Sequence, residues 1–200
     1  GTSVMLETAR LFRQLSERPK RSILFVAVTG EERGLLGSDY YAQNSTVPVG
    51  SMIANVNLDM PILLYKFADV IAFGADHSDM KDSVTKAAEK IGLVLSPDPM
   101  PVQALFTRSV HYSFVKQSIP SVILVPGFKS ADLEIDGSKQ FSDFLKTNYH
   151  KPGDVSGQAF NWQAATKFTE VNYHIGLTLA NQAQRFSWNK GDFFGDNFSK

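Results

Sequence analysis

Ser22-Ile23-Leu24-Phe25-Val26-Ala27-Val28-Thr29-Gly30-Glu31-Glu32-Arg33-Gly34 is the stretch that decides the fold. Its unbroken apolar run, rich in β-branched residues, has the pattern of a strand buried on both faces. Thr29-Gly30 interrupts the run, two adjacent carboxylates follow, and residues 35–43 read as a helix. A strand apolar on both faces needs covering layers on both sides. The stretch therefore predicts a layered α/β sheet.

Working outward, the same alternation of strand and helix repeats. Upstream, positions 4, 5, 8, 11, 12 and 15 share one helical face, with Thr2 or Ser3 as the expected N-cap. Downstream, strands are expected over residues 51–58, 70–73 and 121–125. Helices are expected over 78–91, with Val84, Ala87, Ala88 and Ile91 inward, over 112–117, and over 161–184. In the last of these, positions 164, 165, 168, 171, 175 and 179 make the apolar face. Residues 127–152 have weak periodicity and exceed a usual connection, so they read as a long functional loop. Repeats and linkers are absent, and residues 1–200 read as a single domain. The expected architecture is α/β: a mixed, mostly parallel sheet flanked by helices on both faces.

Composition narrows the function. The chain has 20 Lys+Arg against 20 Asp+Glu, a net charge of zero, and no Cys. Zero net charge supplies no basic footprint for nucleic acid or an anionic membrane. Without Cys there is no disulfide framework, no thiolate zinc knuckle and no thiol nucleophile. Any metal must be held by His, Asp and Glu. No apolar run reaches the ~18–20 residues of a membrane span.

In open α/β sheets, ligands bind beyond the carboxyl ends of the strands. Glu31-Glu32 follows one predicted strand, Asp59 ends another, and His150 closes the long loop after a third. Adjacent carboxylates repel unless a cation lies between them. A divalent metal supplies that charge, with one Glu as ligand and the other as general base. The alternatives are a solvated turn for Glu31-Glu32, a turn-capping Asp59 and an exposed loop His150. Asp154, four residues after His150, could accept the second ring N–H of a ligating imidazole and orient it. Of the other histidines, His77 reads as a surface or capping residue and His174 as a packed or exposed helix residue.

Taken together, residues 23–37 (ILFVAVTGEERGLLG), 54–60 (ANVNLDM), 108–120 (RSVHYSFVKQSIP) and 149–154 (YHKPGD) resemble the M28 family of zinc aminopeptidases. They keep the family's order across nearly the whole chain, and residues 188–195 (WNKGDFFG) look like bacterial members that are exported. The resemblance implies a zinc-exopeptidase, phosphorylase/hydrolase-like fold. It also implies two zinc ions that activate water against the first peptide bond of a substrate with a free N-terminus. Carried over, Glu31 would be the general base, Glu32 and His150 ligands of one zinc, Asp59 a ligand of the other, and Asp154 the orienter of His150. Met60, Phe141, Phe144 and Tyr149 would line the substrate pocket, with His111 nearby. Phe141 and Phe144 read equally well as anchors of the loop.

The resemblance also implies what is missing. A complete site in the family needs a His from a His-x-Asp motif and a bridging Asp, both expected before residue 1. Gly1 looks like the end of the motif holding that Asp, which makes the 200 residues the C-terminal part of a peptidase domain. Such a piece is expected to be inactive alone, to bind zinc weakly, and to pair with itself or with the missing part. A periplasmic or secreted location is implied as well. The chain departs from the family at Val110, where Ser-Asp-His is common; the lost carboxylate bears on the geometry of that loop. Two other functions fit the scaffold: a non-enzymatic, peptidase-like binding module, and a glutaminyl-cyclase-like acyltransferase. Against them, Glu31, Glu32, Asp59 and His150 are all retained, and Glu-Glu-Arg-Gly-Leu-Leu-Gly is aminopeptidase-like.

Overall fold

The computed structural model describes residues 1–199. Four strands form one mixed sheet: β1 (Asn55–Asn57), β2 (Asp69–Phe73), β3 (Val94–Ser96) and β4 (Ser121–Pro126), in the order β1-β4-β2-β3. The β1/β4 and β2/β3 pairs are parallel, and β2/β4 is antiparallel with Val70 opposite Pro126 and Phe73 opposite Ile123. The helices are α1 (Thr2–Arg13), α2 (Leu36–Gln43), α3 (Met80–Glu89), α4 (His111–Val115), α5 (Gly137–Thr147), α6 (Trp162–Ala180) and α7 (Phe193–Phe198).

The period-2 alternation of β2 and β4 sorts their side chains into two cores. Val70, Ala72, Val122 and Leu124 face α1, α3 and α6, where they meet Val4, Val84, Ala87, Ala88, Phe168, Val171 and Ile175. Ile71, Phe73 and Ile123 face the opposite side and meet Phe106, Val115 and Phe194. The sheet is thus covered on both faces, as the sequence predicts. The inward faces of α3 and α6 are the predicted ones; Val84, Ala87, Ala88, Phe168, Val171 and Ile175 are fully buried. A fully buried Phe or Val contributes about 1.5–3 kcal/mol over its exposed state, so these stripes hold the layers together.

Four expectations need correction. Residues 22–28 form no strand, and Leu24 (50 %) and Phe25 (38 %) are exposed. A strand exists only through a neighbour about 4.8 Å away that takes its N–H and C=O groups, and no described strand pairs with this run. The strand over 51–58 contracts to Asn55–Asn57, the part that finds β4. Residues 127–152 are not all loop: Asp136 accepts from the backbone N–H groups of Ser138 and Lys139 and starts α5. Finally, Gly1 holds the N-cap position of α1, so Thr2 and Ser3 lie inside the helix and do not cap it.

His77 is neither a plain surface residue nor a cap. Its Nδ1 lies 2.6 Å from Asp192 Oδ2, and its ring stacks on Phe106 and meets Phe194 edge-on. These contacts dock the C-terminal segment on the sheet. His174 is half-buried in α6, its pKa lowered first by burial and then by Lys90.

Candidate active site

Glu31 and Glu32 sit on a single 3-10 turn, Glu31–Arg33, bracketed by Gly30 (φ 70°) and Gly34 (φ 94°). Both glycines occupy the left-handed region that side chains avoid, so the turn can double back tightly. The Gly37 N–H closes it by donating to the Thr29 carbonyl at 2.9 Å; a Cβ on Gly37 would lie 2.2 Å from that oxygen. The carboxylates are thereby held at the start of α2.

His150 comes from the segment after α5 and takes a positive φ of 54°. Its Nε2 is 2.6 Å from Glu32 Oε1, and its ring stacks on Tyr149. Asp59, just past β1, completes the acidic edge. Met60 beside it also has a positive φ (40°). Left-handed backbone at bulky residues costs about 1–2 kcal/mol and persists where the surroundings impose it.

The charges of these groups feel one another. Burial raises the Glu31 pKa, the Glu32 and Asp59 carboxylates raise it further, and His150 opposes them. The Tyr149 phenol is raised as well, first by burial and then by Glu32, Glu31 and Asp59, while Arg108 works the other way. The edge is a field of negative charge facing one imidazole, a donor set that suits a divalent cation. Among the described residues, no three His, Asp or Glu side chains converge as a ready metal cage. Glu32 and His150 instead satisfy each other directly.

The acids open onto a cleft of about 760 Å³. Glu31, Glu32, Asp59, Met60, Phe141, Phe144, Tyr149, His150 and Asp154 all line it, together with Tyr65, Phe128, Phe160 and Trp162. Phe141 also tilts against Phe128 at 5.3 Å, so wall and anchor roles coincide. Asp154 shares the cleft, but its Oδ1 accepts from Gln158 Nε2 at 2.6 Å. His111 does not reach the cleft; it is wholly buried behind it.

Two residues the sequence reading passed over connect that buried histidine to the edge. Ser109 Oγ donates to Asp59 Oδ2 at 2.6 Å, and Asn57 Nδ2 donates to Ser109 Oγ at 2.8 Å. An amide inside the short strand β1 was the available signal for Asn57; the Arg-Ser-Val-His motif pointed to Ser109 only as a neighbour. Val110 begins α4 without a side-chain cap, and the Ser109 link to Asp59 is made nonetheless.

Glu31, Glu32, Asp59 and His150 thus line one cleft of a two-sided α/β sheet protein. The chain belongs to peptidase family M28, whose sequence model matches residues 1–175. Over 63 residues it is 48% identical to a probable zinc metalloprotease of Phaeosphaeria nodorum, covering 30% of this chain and 12% of that protein. Over 96 residues it is 36% identical to aminopeptidase YwaD of Bacillus subtilis, covering 46% of this chain and 21% of the relative. In fold it is similar to the Legionella pneumophila LapA aminopeptidase (TM-score 0.64, 19% identity, 92% of this chain and 46% of LapA). The aminopeptidase from Aneurinibacillus sp. strain AM-1 is similar too (TM-score 0.61, 20% identity, 92% of this chain and 38% of that one). The chain therefore spans less than half the length of these relatives. Among its described residues no helix is long and apolar enough to cross a membrane.

Proposed function

We propose that these residues are part of a metal-dependent aminopeptidase centre that hydrolyses the N-terminal peptide bond of its substrates. The observation that supports this reading is that Glu31, Glu32, Asp59 and His150, from three distant parts of the sequence, line one cleft, with Glu32 and His150 in direct contact. Zinc is the cation the family and the relatives' names imply. Glu32 and His150 would hold one ion and Asp59 a second; bound zinc supplies Lewis-acid polarisation of the carbonyl and a lowered pKa of water. Glu31 is left as the proton carrier. Its raised pKa suits a carboxylate that accepts a proton from the attacking water and hands it to the leaving amine. Met60, Phe141, Phe144 and Tyr149 offer an apolar wall, which favours substrates with an apolar N-terminal residue and a free α-amine.

Three donors do not complete two tetrahedral sites, so the remaining ligands come from outside these 200 residues. On this reading the isolated chain is inactive and holds zinc weakly. The uncovered apolar run at residues 22–28 is where further polypeptide, or a second copy of the chain, adds on. The likeness of residues 188–195 to exported bacterial members supports a periplasmic or secreted location. The test is release of N-terminal residues from a peptide panel by the full-length protein, with and without chelator. Release that ceases with chelator and in Glu31→Gln supports the reading; chelator-insensitive release, or two tightly held zinc ions on the isolated chain, would end it.

A further inference from the structure

The buried side of the acidic edge carries a chain of hydrogen bonds with one direction. The Ser109 hydroxyl has a single proton, and it goes to Asp59 Oδ2 at 2.6 Å. Its oxygen must then accept, and the donor is Asn57 Nδ2 at 2.8 Å. The other hydrogen of that amide faces His111 Nδ1 at 3.4 Å. For Nδ1 to accept, it must be the bare nitrogen of a neutral imidazole, which puts the ring proton on Nε2. Asn57, Ser109 and His111 are 8 %, 6 % and 0 % exposed, so solvent has little access to substitute for a missing link.

We propose that His111 is a positioning residue for Asp59. It acts through Asn57 and Ser109 to commit one carboxylate oxygen of Asp59 and leave the other free to face the cleft. The inference deepens the reading of Asp59 as a cation ligand and rests on it. Were the ring proton on Nδ1, the Asn57 amide would have to turn its oxygen to the ring, Ser109 would lose its donor, and the hydroxyl could swing away from Asp59. The tautomer of a residue that never touches the cleft thus sets the direction of a bond that does.

An apolar side chain here would leave the Asn57 amide hydrogen that faces Nδ1 without an acceptor, which costs stability in a buried site. The Phe106 ring packs against the imidazole, tilted at 41° with the centroids 5.1 Å apart.

The test uses full-length protein with ¹⁵N-labelled histidine. In the wild type, His111 should show a bare Nδ1 and a protonated Nε2, and the Asn57 side-chain amide protons should exchange slowly. His111→Leu should fold, lose the amide protection, and weaken Zn²⁺ binding about 10–100-fold in a chelator competition. Ser109→Ala should weaken Zn²⁺ equally, and Ser109→Thr should restore it. A protonated Nδ1 in the wild type overturns the proposal, as does a His111→Leu variant with wild-type Zn²⁺ affinity. Should the wild type bind no Zn²⁺ while His111→Leu still loses the amide protection, the directional chain stands and the ligand reading of Asp59 falls.

Discussion

The two halves of the acidic edge are built in opposite ways. Asp59 is tied to the core through Ser109, Asn57 and His111, none more than 8 % exposed. Glu32 and His150 meet across two turns, with side chains 67 % and 52 % exposed, and hold each other by one contact, Nε2 to Oε1 at 2.6 Å. The first half is preorganised by the sheet and the layer beneath it. The second is positioned by its backbone, through glycines at positive φ, and its exposed side-chain contact adds little, because exposed pairs are worth about 0–1 kcal/mol. One site therefore joins a rigid carboxylate to an adjustable pair. Such a division suits a centre that must receive a cation without rebuilding its frame.

The largest way to break the comparison is acid. Burial lowers the His111 pKa to about 4, against partial opposition from the Phe106 backbone and Asp59. Its unfolded value is near 6.5, so between those limits the unfolded chain binds more protons, and stability falls as pH falls through that window. The loss is on the order of 3 kcal/mol for full titration. Urea midpoints measured from pH 7 to pH 4 should drop steeply in the wild type and flatten in His111→Leu. Equal slopes would mean that the buried half is not held by a neutral imidazole.

The next effect belongs to the exposed half and acts through its backbone. Gly37→Ala puts a Cβ 2.2 Å from the Thr29 carbonyl oxygen and 2.7 Å from the Thr29 nitrogen. The turn must open, at a cost of about 2 kcal/mol, the scale of an overpacked contact. Glu32→Ala removes the contact with His150 and should change stability by less than about 0.5 kcal/mol. On the reading of Glu32 as a ligand, the same variant should abolish Zn²⁺-dependent activity in the full-length protein. Thermal melts of the two variants separate the roles. If Glu32→Ala were the more destabilising, the Glu32–His150 contact and not the glycines would position the turn.

This contrast also marks what was legible in the sequence. The inward stripes of α3 and α6 were plain because a helix face repeats along the chain, and the acids were plain because each follows a local break. The Asn57–Ser109 bond joins residues 52 positions apart, and nothing local to either one encodes it. Residues 22–28 show the same limit from the other side. Their apolar run records a preference for burial, but a strand needs a partner, and that is a property of the assembled sheet. The helix α5 was hidden for a smaller reason. Phe141, Phe144 and Leu145 do keep a helical spacing, yet they sit within a polar stretch whose start depends on the single cap Asp136.

The smallest effect sharpens the comparison most. The Glu31 pKa is raised, by burial and then by its carboxylate neighbours. With the folded value above the unfolded one, the folded state binds more protons as pH climbs past the ordinary Glu range. Stability therefore falls there, and the charged Glu31 is a mild burden at neutral pH. Glu31→Gln should raise the neutral-pH melting free energy by about 0.5 kcal/mol or less, with no gain at pH 4. In the metal-loaded full-length protein the neighbouring carboxylates are neutralised, and the gain should vanish. A Glu31→Gln variant less stable than wild type at pH 7 without metal would show that the exposed half is already balanced by His150 alone.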